Sequence, residues 1–293
     1  MKAQKACMDC LRKKQEKRVA GFSDEDKKRR YLDEVEKILC RFGKMESSPA
    51  LSERIDGLFR EFWGETKDFS EEKRLYNRLL LDREEEFFRQ AEQNADPIGA
   101  ALRLAVAGNY IDTAAVENVN ETTLALLLER AETAALPEKE VAAFTADLAK
   151  AKRLTYLTDN AGEIVLDKVL LRVIRKRFPN LSVTVVVRGA NVDNDASMED
   201  AKEVGLTALF SCVGNGNAAP GTVLGRLSEE AKEAVFGADV LLAKGQANFE
   251  SLYGEGLSPY YLFLCKCEHF TDRFGLSRFG AVFANEERIR GME

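Results

Sequence analysis

Two aspartates and an asparagine stand shortly after apolar segments in the second half of the chain. Asp159 and Asn160 come directly after one such segment, and Asp195 lies a few residues beyond the next. Carboxylate and carboxamide oxygens suit Mg²⁺ and Mn²⁺, which usually complete their shells with water and substrate phosphate. We therefore predict that these three side chains bind one divalent metal ion, with manganese, magnesium, nickel and cobalt all open.

Basic side chains and glycines follow the same kind of segment and predict phosphate binding. Lys244 and Lys266 each come after a later apolar run and are candidates to hold a phosphate dianion. The backbone amides of Gly162 and Gly245, near predicted helix starts, are candidate donors that add no side-chain bulk. The remaining substrate-binding candidates in these strand-end segments are Arg188, Asn194 and Asn248.

Two further carboxylates bear on the mechanism. Glu163 and Asp167 are spaced one helical turn apart and are candidates for a general base or for support of the metal ligands. One route has Asp159 attack phosphorus and form an aspartyl-phosphate. The other has a metal-activated water attack, with a carboxylate as base. Both routes stay open, and the second is favoured slightly.

The pattern from residue 154 onward predicts how these residues are brought together. Short apolar strands alternate with helical stretches, which is typical of a largely parallel sheet with helices on its faces. In such a sheet, ligands bind beyond the carboxyl ends of the strands. The predicted strands are 154–158, 183–187, 208–212, 240–243, 261–264 (a strand or a buried helix) and 281–284, and the predicted helices are 164–178, 198–204 and 229–235.

The first half of the chain has helical periodicity instead. Ser23 and Ser70 are candidate starts of two helices, the second running through Phe88, and Pro97 begins a third at 98–107. Helical segments at 121–136 and 138–152 follow. We predict an α/β fold in two parts: an all-helical domain at 1–150 and an α/β metal- and phosphate-binding domain at 151–293.

Bulk composition limits the function classes. The formal net charge of −6 and the pI near 5.3 argue against nucleic acid as the main partner. No apolar run approaches the ~18 residues of a membrane span, and the basic, cysteine-bearing N-terminus lacks the apolar region of a secretory signal. The six cysteines fit no obvious disulfide framework, which favours reduced thiols and a cytoplasmic location.

Three strand-end segments together resemble the damage-control phosphatase family. They read YLTDNAGEIVLDKVL, VVVRGANVDNDASMEDAKEVGL and ADVLLAKGQANFESL. The segments AVAGNYIDTAA and CMDCLRKKQ extend the resemblance over nearly the whole chain, the second being similar to the Cys-x-x-Cys opening of the archaeal and bacterial branch. This family was long catalogued as domain of unknown function 89, and one branch was named for a proposed acidic-residue methyltransferase.

The resemblance implies a helical region packed on an α/β domain, a divalent metal and hydrolysis of small phosphorylated metabolites. The family's metal ligands fall on Asp159, Asn160 and Asp195, and its late phosphate-binding lysine falls on Lys266. Its Lys-Gly-x-x-Asn loop falls on 244–248. Its Gly-Asn-x-x-Asp segment, which the resemblance directs to the same pocket, places its polar residues at Asn109 and Asp112.

Departures from the eukaryotic branch limit what is carried over. Gln246 and Glu250 in the fourth loop, and Leu264 and Cys265 before the late lysine, differ from that branch's pattern. The sugar-phosphate preference of the eukaryotic branch is therefore not assumed for this chain.

Competing functions remain in view. A non-catalytic metal- or metabolite-binding module would need the same pocket, whereas a carboxyl methyltransferase is disfavoured because the turn after the first strand carries Asp-Asn instead of glycines. Ala161 breaks the Asp-x-Asp pattern of haloacid-dehalogenase-like phosphatases, and no Walker-type loop is present.

Cys7 and Cys10 have metal-ligand spacing, but zinc would need two further ligands.

Overall fold

A computed structural model describes residues 1–64, 67–110, 129–131, 133–276 and 278–290. Asp112 and most of the helix expected at 121–136 lie outside the described residues.

A six-stranded sheet forms the centre of the molecule, with strand order β3-β2-β1-β4-β5-β6. Strands β1 to β5 pair in parallel and β6 pairs antiparallel with β5, which confirms the predicted α/β class. Strand order reverses between β1 and β4, and in open sheets ligands bind at such a switch point. The strands are β1 Arg153–Leu157, β2 Ser182–Val187, β3 Ser211–Gly214, β4 Val240–Lys244, β5 Tyr260–Leu264 and β6 Ala281–Asn285.

Helices flank the sheet and also make up most of the described first half. In the first half they are α1 Lys5–Val19, α2 Glu25–Phe42, α3 Ser48–Trp63, α4 Ser70–Leu81, α5 Glu84–Glu92, α6 Pro97–Gly108 and α7 Glu138–Leu148. In the second half they are α8 Glu163–Arg177, α9 Met198–Glu203, α10 Glu229–Phe236, α11 Gln246–Leu252, α12 Glu268–Phe274 and α13 Glu286–Arg290, with 3₁₀ turns at Leu206–Ala208 and Leu224–Arg226.

Several boundaries differ from the prediction for local reasons. Asp24 caps α2, since its side chain accepts the Lys27 amide at 2.8 Å, so the predicted cap at Ser23 was wrong. The helix predicted from Ser70 through Phe88 is two helices, because the chain turns after Leu81. A 3₁₀ turn occupies the start of the third predicted strand, and the ambiguous segment at 261–264 is a strand.

The main hydrophobic core does not follow the halves of the sequence. Leu80 and Phe87 from the helical half share one buried cluster with Val165 on α8 and Leu242 on β4. Helices α1 to α3 have a cluster of their own, which includes Tyr31. The domain border at residue 150 stays a prediction, and the core runs across it.

Helices α1 to α3, named the cap helices here, lie at the carboxyl edge of the sheet. Arg226, in the loop after β3, pairs with Glu46 at 3.0 Å and also with Glu53, while Glu53 accepts the Ala218 amide at 2.9 Å. On the other side, the amino group of Met1 donates to the Glu250 carbonyl at 2.9 Å. The cap helices are therefore held against the loop that follows β3, and the segment before α1 is held to α11. No helix within the described ranges is long and apolar enough to serve as a membrane span.

Candidate active site

The loops after β1 and β2 are joined through their backbones. The Ala196 amide donates to the Asp159 carbonyl at 2.8 Å, and the Ala161 amide donates to the Asn194 carbonyl at 2.9 Å. Asn160 and Asp195 form an isolated bridge between the two loops. The structure thus brings together the predicted metal ligands, although Asp195 is far from the first pair along the chain.

The carboxyl group of Asp159 is held tightly from several sides. Its Oδ2 accepts the amide groups of Asn109 and Asn160, each at 2.9 Å. Only 7% of Asp159 is exposed, and burial, with the nearby carboxylates of Glu163 and Asp195, raises the pKa of Asp159 to about 7. This clustering of buried carboxylates makes a position where a cation is electrostatically favoured.

The donor set fits a hard divalent ion. Asp195 already has a cationic partner, because Arg188 Nε lies 2.5 Å from its Oδ2, whereas Asp159 faces Arg188 Nη2 only at 3.8 Å. Asn160 directs Nδ2 to Asp159 and to Glu163 at 3.1 Å, which leaves Oδ1 as its ligand atom. Within the described residues no three His, Cys, Asp or Glu side chains are grouped as a metal site, and the predicted set consists of two carboxylates and one amide oxygen.

Arg188 stands between the two predicted metal-binding aspartates. It is 2% exposed, and besides Asp195 it reaches Asn248 Oδ1 from Nη1 at 3.4 Å. Within the described part of the chain, its buried Nη2 has no hydrogen-bond partner. A buried guanidinium nitrogen in that position is suited to an anionic oxygen, since arginine binds phosphate through directed hydrogen bonds.

A second buried layer lies behind these residues. Lys244 Nζ contacts Glu163, lies 3.3 Å from Asp167 and donates to the Ala105 carbonyl at 3.0 Å. Asp167 also accepts the Tyr156 hydroxyl at 2.7 Å. Burial raises the pKa of Asp167 to about 7, against the opposing charge of Lys244. Burial opposes the charge on Lys244 too, yet Asp167 and Glu163 raise its pKa above the ordinary value.

This layer changes how three predicted residues are understood. Lys244 is fully buried and already contacts two carboxylates, so the geometry disfavours the predicted phosphate contact. Asp167 lies behind Glu163, which suits support of the site better than direct proton transfer to a substrate. Glu163 is also fully buried, but it contacts Asn160 and Asn109 and so adjoins the predicted ligands.

Asn109 and Lys266 come to the site from outside the first two loops. Asn109, at the end of α6, bridges Asp159 and Glu163 through its amide nitrogen, at 2.9 and 2.6 Å. Lys266 follows β5 and is half-buried, and its charge acts to lower the pKa of Asp159. Its backbone amide donates to Gln246 Oε1 at 3.0 Å, which ties the loops after β4 and β5 together.

The two predicted backbone donors are used within the protein. The Gly245 amide donates to the Leu262 carbonyl at 3.0 Å, and the Gly162 amide donates to Asn77 Oδ1 at 2.7 Å. Asn248 is likewise internal, because its Nδ2 donates to the carbonyls of Thr158 and Lys244 at 3.0 and 2.7 Å. These internal hydrogen bonds build the loops and disfavour the phosphate contacts of Gly245, Gly162 and Asn248, which stay predictions.

Residues 3–280 match the family described as "Damage-control phosphatase ARMT1-like domain". The chain belongs to this damage-control phosphatase family. The resemblance seen in the three strand-end segments is thereby confirmed.

Two relatives carry the name of the damage-control phosphatase family. A "Damage-control phosphatase" of Archaeoglobus fulgidus is 31% identical over 261 residues, covering 87% of this chain and 88% of the relative. The "Damage-control phosphatase PH1575" of Pyrococcus horikoshii is 28% identical over 273 residues, covering 91% and 92%. These names support a phosphatase role for this chain.

A solved structure in the family has the same fold. The crystal structure of PH1575, described as a DUF89 family protein, superposes with a TM-score of 0.83 at 26% identity. The superposition covers 98% of this chain and 99% of that one. The helical cap and the α/β part are therefore both shared.

Other residues at the site of this family member were missed by sequence reasoning. Tyr156 lies inside β1 and Asn77 and Asp200 lie on helices, so none of them follows a strand. Asn77 is completely buried and contacts the turn after β1, yet its position on α4 gives no sign of this. The only signal would have been a polar residue on the buried face of a predicted helix. Which face of the helix is buried is decided by packing.

The thiols of the Cys-x-x-Cys opening lie on α1, one of the cap helices. Cys7 is half-buried and Cys10 is exposed, and both are free thiols. Burial raises the pKa of Cys7, so that thiol is less reactive at neutral pH than an exposed cysteine.

Proposed function

We propose that the chain is a divalent-metal-dependent phosphatase that hydrolyses small phosphorylated metabolites. The observation that carries the proposal is the meeting of Asp159, Asn160 and Asp195 at the switch point of the sheet, next to Arg188. Family membership supports the phosphatase part. The metal and the substrate class rest on the chemistry of these residues.

Asp159, Asn160 and Asp195 would hold the ion through their side-chain oxygens. When bound, a divalent ion neutralises phosphoryl charge and activates or orients the nucleophile. Arg188 Nη2 and Lys266 are the cationic groups that would contact the phosphoryl oxygens. Asn109 fixes one oxygen of Asp159 by its hydrogen bond, so the other, Oδ1, keeps a set direction toward Arg188.

Two sources of the nucleophile remain for the same geometry. Asp159 is a candidate for direct attack on phosphorus, and Glu163 is the candidate base when water attacks instead. We favour water as the nucleophile, because Asp159 is confined by two amide donors and by the loop at Gly245.

The proposed substrate is small because the site is narrow. Asp159, Arg188 and Asp195 are all under one-tenth exposed, so little more than a phosphoryl group reaches them. Phosphosugars and phosphorylated cofactors are both included. A cytoplasmic location and the absence of a nucleic-acid partner stay predictions.

Phosphate release from a panel of phosphosugars and phosphorylated cofactors tests the proposal. The purified chain is stripped with a chelator and assayed alone and with Mn²⁺, Mg²⁺, Ni²⁺ or Co²⁺. We expect turnover only with added metal and none in Asp159→Asn. Asp239→Asn is the matched control, because Asp239 is exposed and accepts the Lys152 and Arg153 amides before β1, at the opposite edge of the sheet.

Three outcomes would contradict parts of the proposal. Full turnover in the presence of the chelator would rule out the proposed metal requirement. Turnover retained by Asp159→Asn would show that this residue is not needed for the reaction. Metal and phosphometabolite binding without phosphate release from any panel member would favour the non-catalytic binding module.

A further inference from the structure

Asn77 on α4 lies between the two loops that carry the proposed metal ligands. Its Oδ1 accepts the Gly162 amide at 2.7 Å, and its Nδ2 donates to Asp200 at 3.0 Å and to Glu203 at 2.8 Å. From this geometry we propose that Asn77 is a positioning residue, which sets the spacing between Asp159–Asn160 and Asp195. The inference rests on the metal centre of the proposed function.

On one side Asn77 holds the turn after β1. Gly162 has a φ of 75° and precedes α8, so its amide points away from the regular hydrogen bonding of that helix. Asn77 is fully buried and is the acceptor for this amide. The turn that begins with Asp159 and Asn160 is thereby fixed to α4.

On the other side Asn77 holds the loop after β2 through Asp200. Asp200 Oδ2 accepts the amide of Ser197 at 2.8 Å and its hydroxyl at 2.7 Å, forming the capping box that starts α9. Ser197 follows Asp195 by two positions and bridges to Arg188. The position of Asp195 is therefore linked to Asp200, and through it to Asn77.

α4 gives this link its rigidity. Lys73, one helical turn before Asn77, lies 2.7 Å from Asp200 Oδ2, and both residues are at most 5% exposed. Only a side chain with both an acceptor and a donor can serve Gly162 and Asp200 together, and asparagine provides both. Ligands held in advance at the right spacing bind an ion without first being ordered, and partners behind the ligands commonly govern metal affinity.

The experiment measures Mn²⁺ affinity by calorimetry on chelator-stripped protein, at a temperature where circular dichroism shows every variant folded. Asn77→Asp keeps the shape and the acceptor for Gly162 but loses the donor and faces Asp200 and Glu203 with like charges. The double variant Asn77→Asp with Asp200→Asn restores a donor and an acceptor between the two positions, in the opposite direction.

Asn285→Asp is the matched control away from the site. Asn285 is 7% exposed, its Nδ2 donates to the Ser258 carbonyl at 2.9 Å, and its Oδ1 accepts the Glu287 amide at 3.0 Å. The substitution again removes one buried donor and keeps one accepted backbone amide. Any general effect of such a change on the fold is therefore present in the control.

We expect Asn77→Asp to weaken Mn²⁺ binding by about 10- to 100-fold and Asn285→Asp to bind as the wild type does. The double variant should recover part of the loss, because Glu203 still faces the new carboxylate. Equal affinities for Asn77→Asp and the wild type would overturn the inference alone. A parallel loss in Asn285→Asp, or no recovery in the double variant, would assign the effect to general destabilisation and also overturn it. A wild-type chain that binds no ion would overturn the proposed metal centre as well.

Discussion

Gly245 lies directly against the carboxyl group of Asp159. A Cβ atom at Gly245 would stand 2.1 Å from Asp159 Cγ, and its φ of 84° is one that other residues rarely adopt. The loop after β4 therefore forms one wall of the site with its backbone. This relationship explains why a glycine is needed there although its amide donates within the protein, to the Leu262 carbonyl.

Gly245→Ala is expected to reduce phosphatase activity by about 100-fold, since displacing a reacting group by about 1 Å has that effect. The added methyl group must push Asp159 out of its place. Gly256→Ala is the control, because Gly256 has a similar φ of 83° and no atom within 4 Å of the added Cβ. Steady-state kinetics of both variants checks this, and equal loss in the two would mean that backbone strain alone is responsible.

The two lysines predicted to bind phosphate are expected to behave differently. Lys244→Met leaves Glu163 and Asp167 buried without their cation, which should lower the free energy of unfolding by about 3–5 kcal/mol. Lys266→Met affects a half-buried side chain, so we expect a stability change of about 1 kcal/mol or less together with a large rise in KM. Urea denaturation and kinetics separate the two, and a stable Lys244→Met with only KM raised would restore its phosphate role.

Asp167 predicts a pH dependence of stability. Its pKa is raised from 3.8 to about 7, so its stabilising contribution is complete below about pH 4 and is lost as the pH rises through 7. Asp167→Asn cannot ionise and keeps an acceptor for Tyr156. Between pH 5 and pH 8 the free energy of unfolding of Asp167→Asn should therefore rise by about 1–3 kcal/mol relative to that of the wild type.

Urea denaturation at several pH values, with a chelator present, measures this difference. Asp239→Asn should show none over the same range, because the backbone hydrogen bonds of Asp239 lower its pKa. A constant difference between Asp167→Asn and the wild type would show that Asp167 is already ionised at pH 5.

Arg226 is expected to hold the cap helices to the loop after β3. Replacing it with methionine leaves Glu53 without its cation, whereas Glu46 keeps its pair with Arg54 at 2.6 Å. We expect a loss of about 1–3 kcal/mol in the free energy of unfolding. Lys232→Met removes a pair with the 90% exposed Glu229 and should cost less than about 0.5 kcal/mol. A similar small change in both would mean that other contacts hold the cap helices.

Local patterns in the sequence were enough to predict most strands and the residues that follow them. β1 and β2 lie within one residue of their predicted ranges, because short runs of apolar, aromatic and β-branched residues between turn residues leave few alternatives. The helix predicted from Ser70 shows the limit, since its apolar periodicity continues across the break after Leu81.

The roles of individual polar residues were harder to assign. Lys244 and Lys266 both follow a strand, yet one is fully buried among carboxylates and the other is half-buried near Asp159. Their difference depends on what α6 and α8 place beside them. No property of the lysines or their immediate neighbours in the chain carries that information.

The amino-acid sequence by itself determined the α/β class, the family and the segments that meet at one edge of the sheet, because these depend on local periodicity and on parallel strands ending together. Only the tertiary structure decided which polar groups face the site and which support it from behind. Asn77 and Lys244 acquire their partners from segments distant along the chain, and contacts of that kind arise only when helices pack on the sheet.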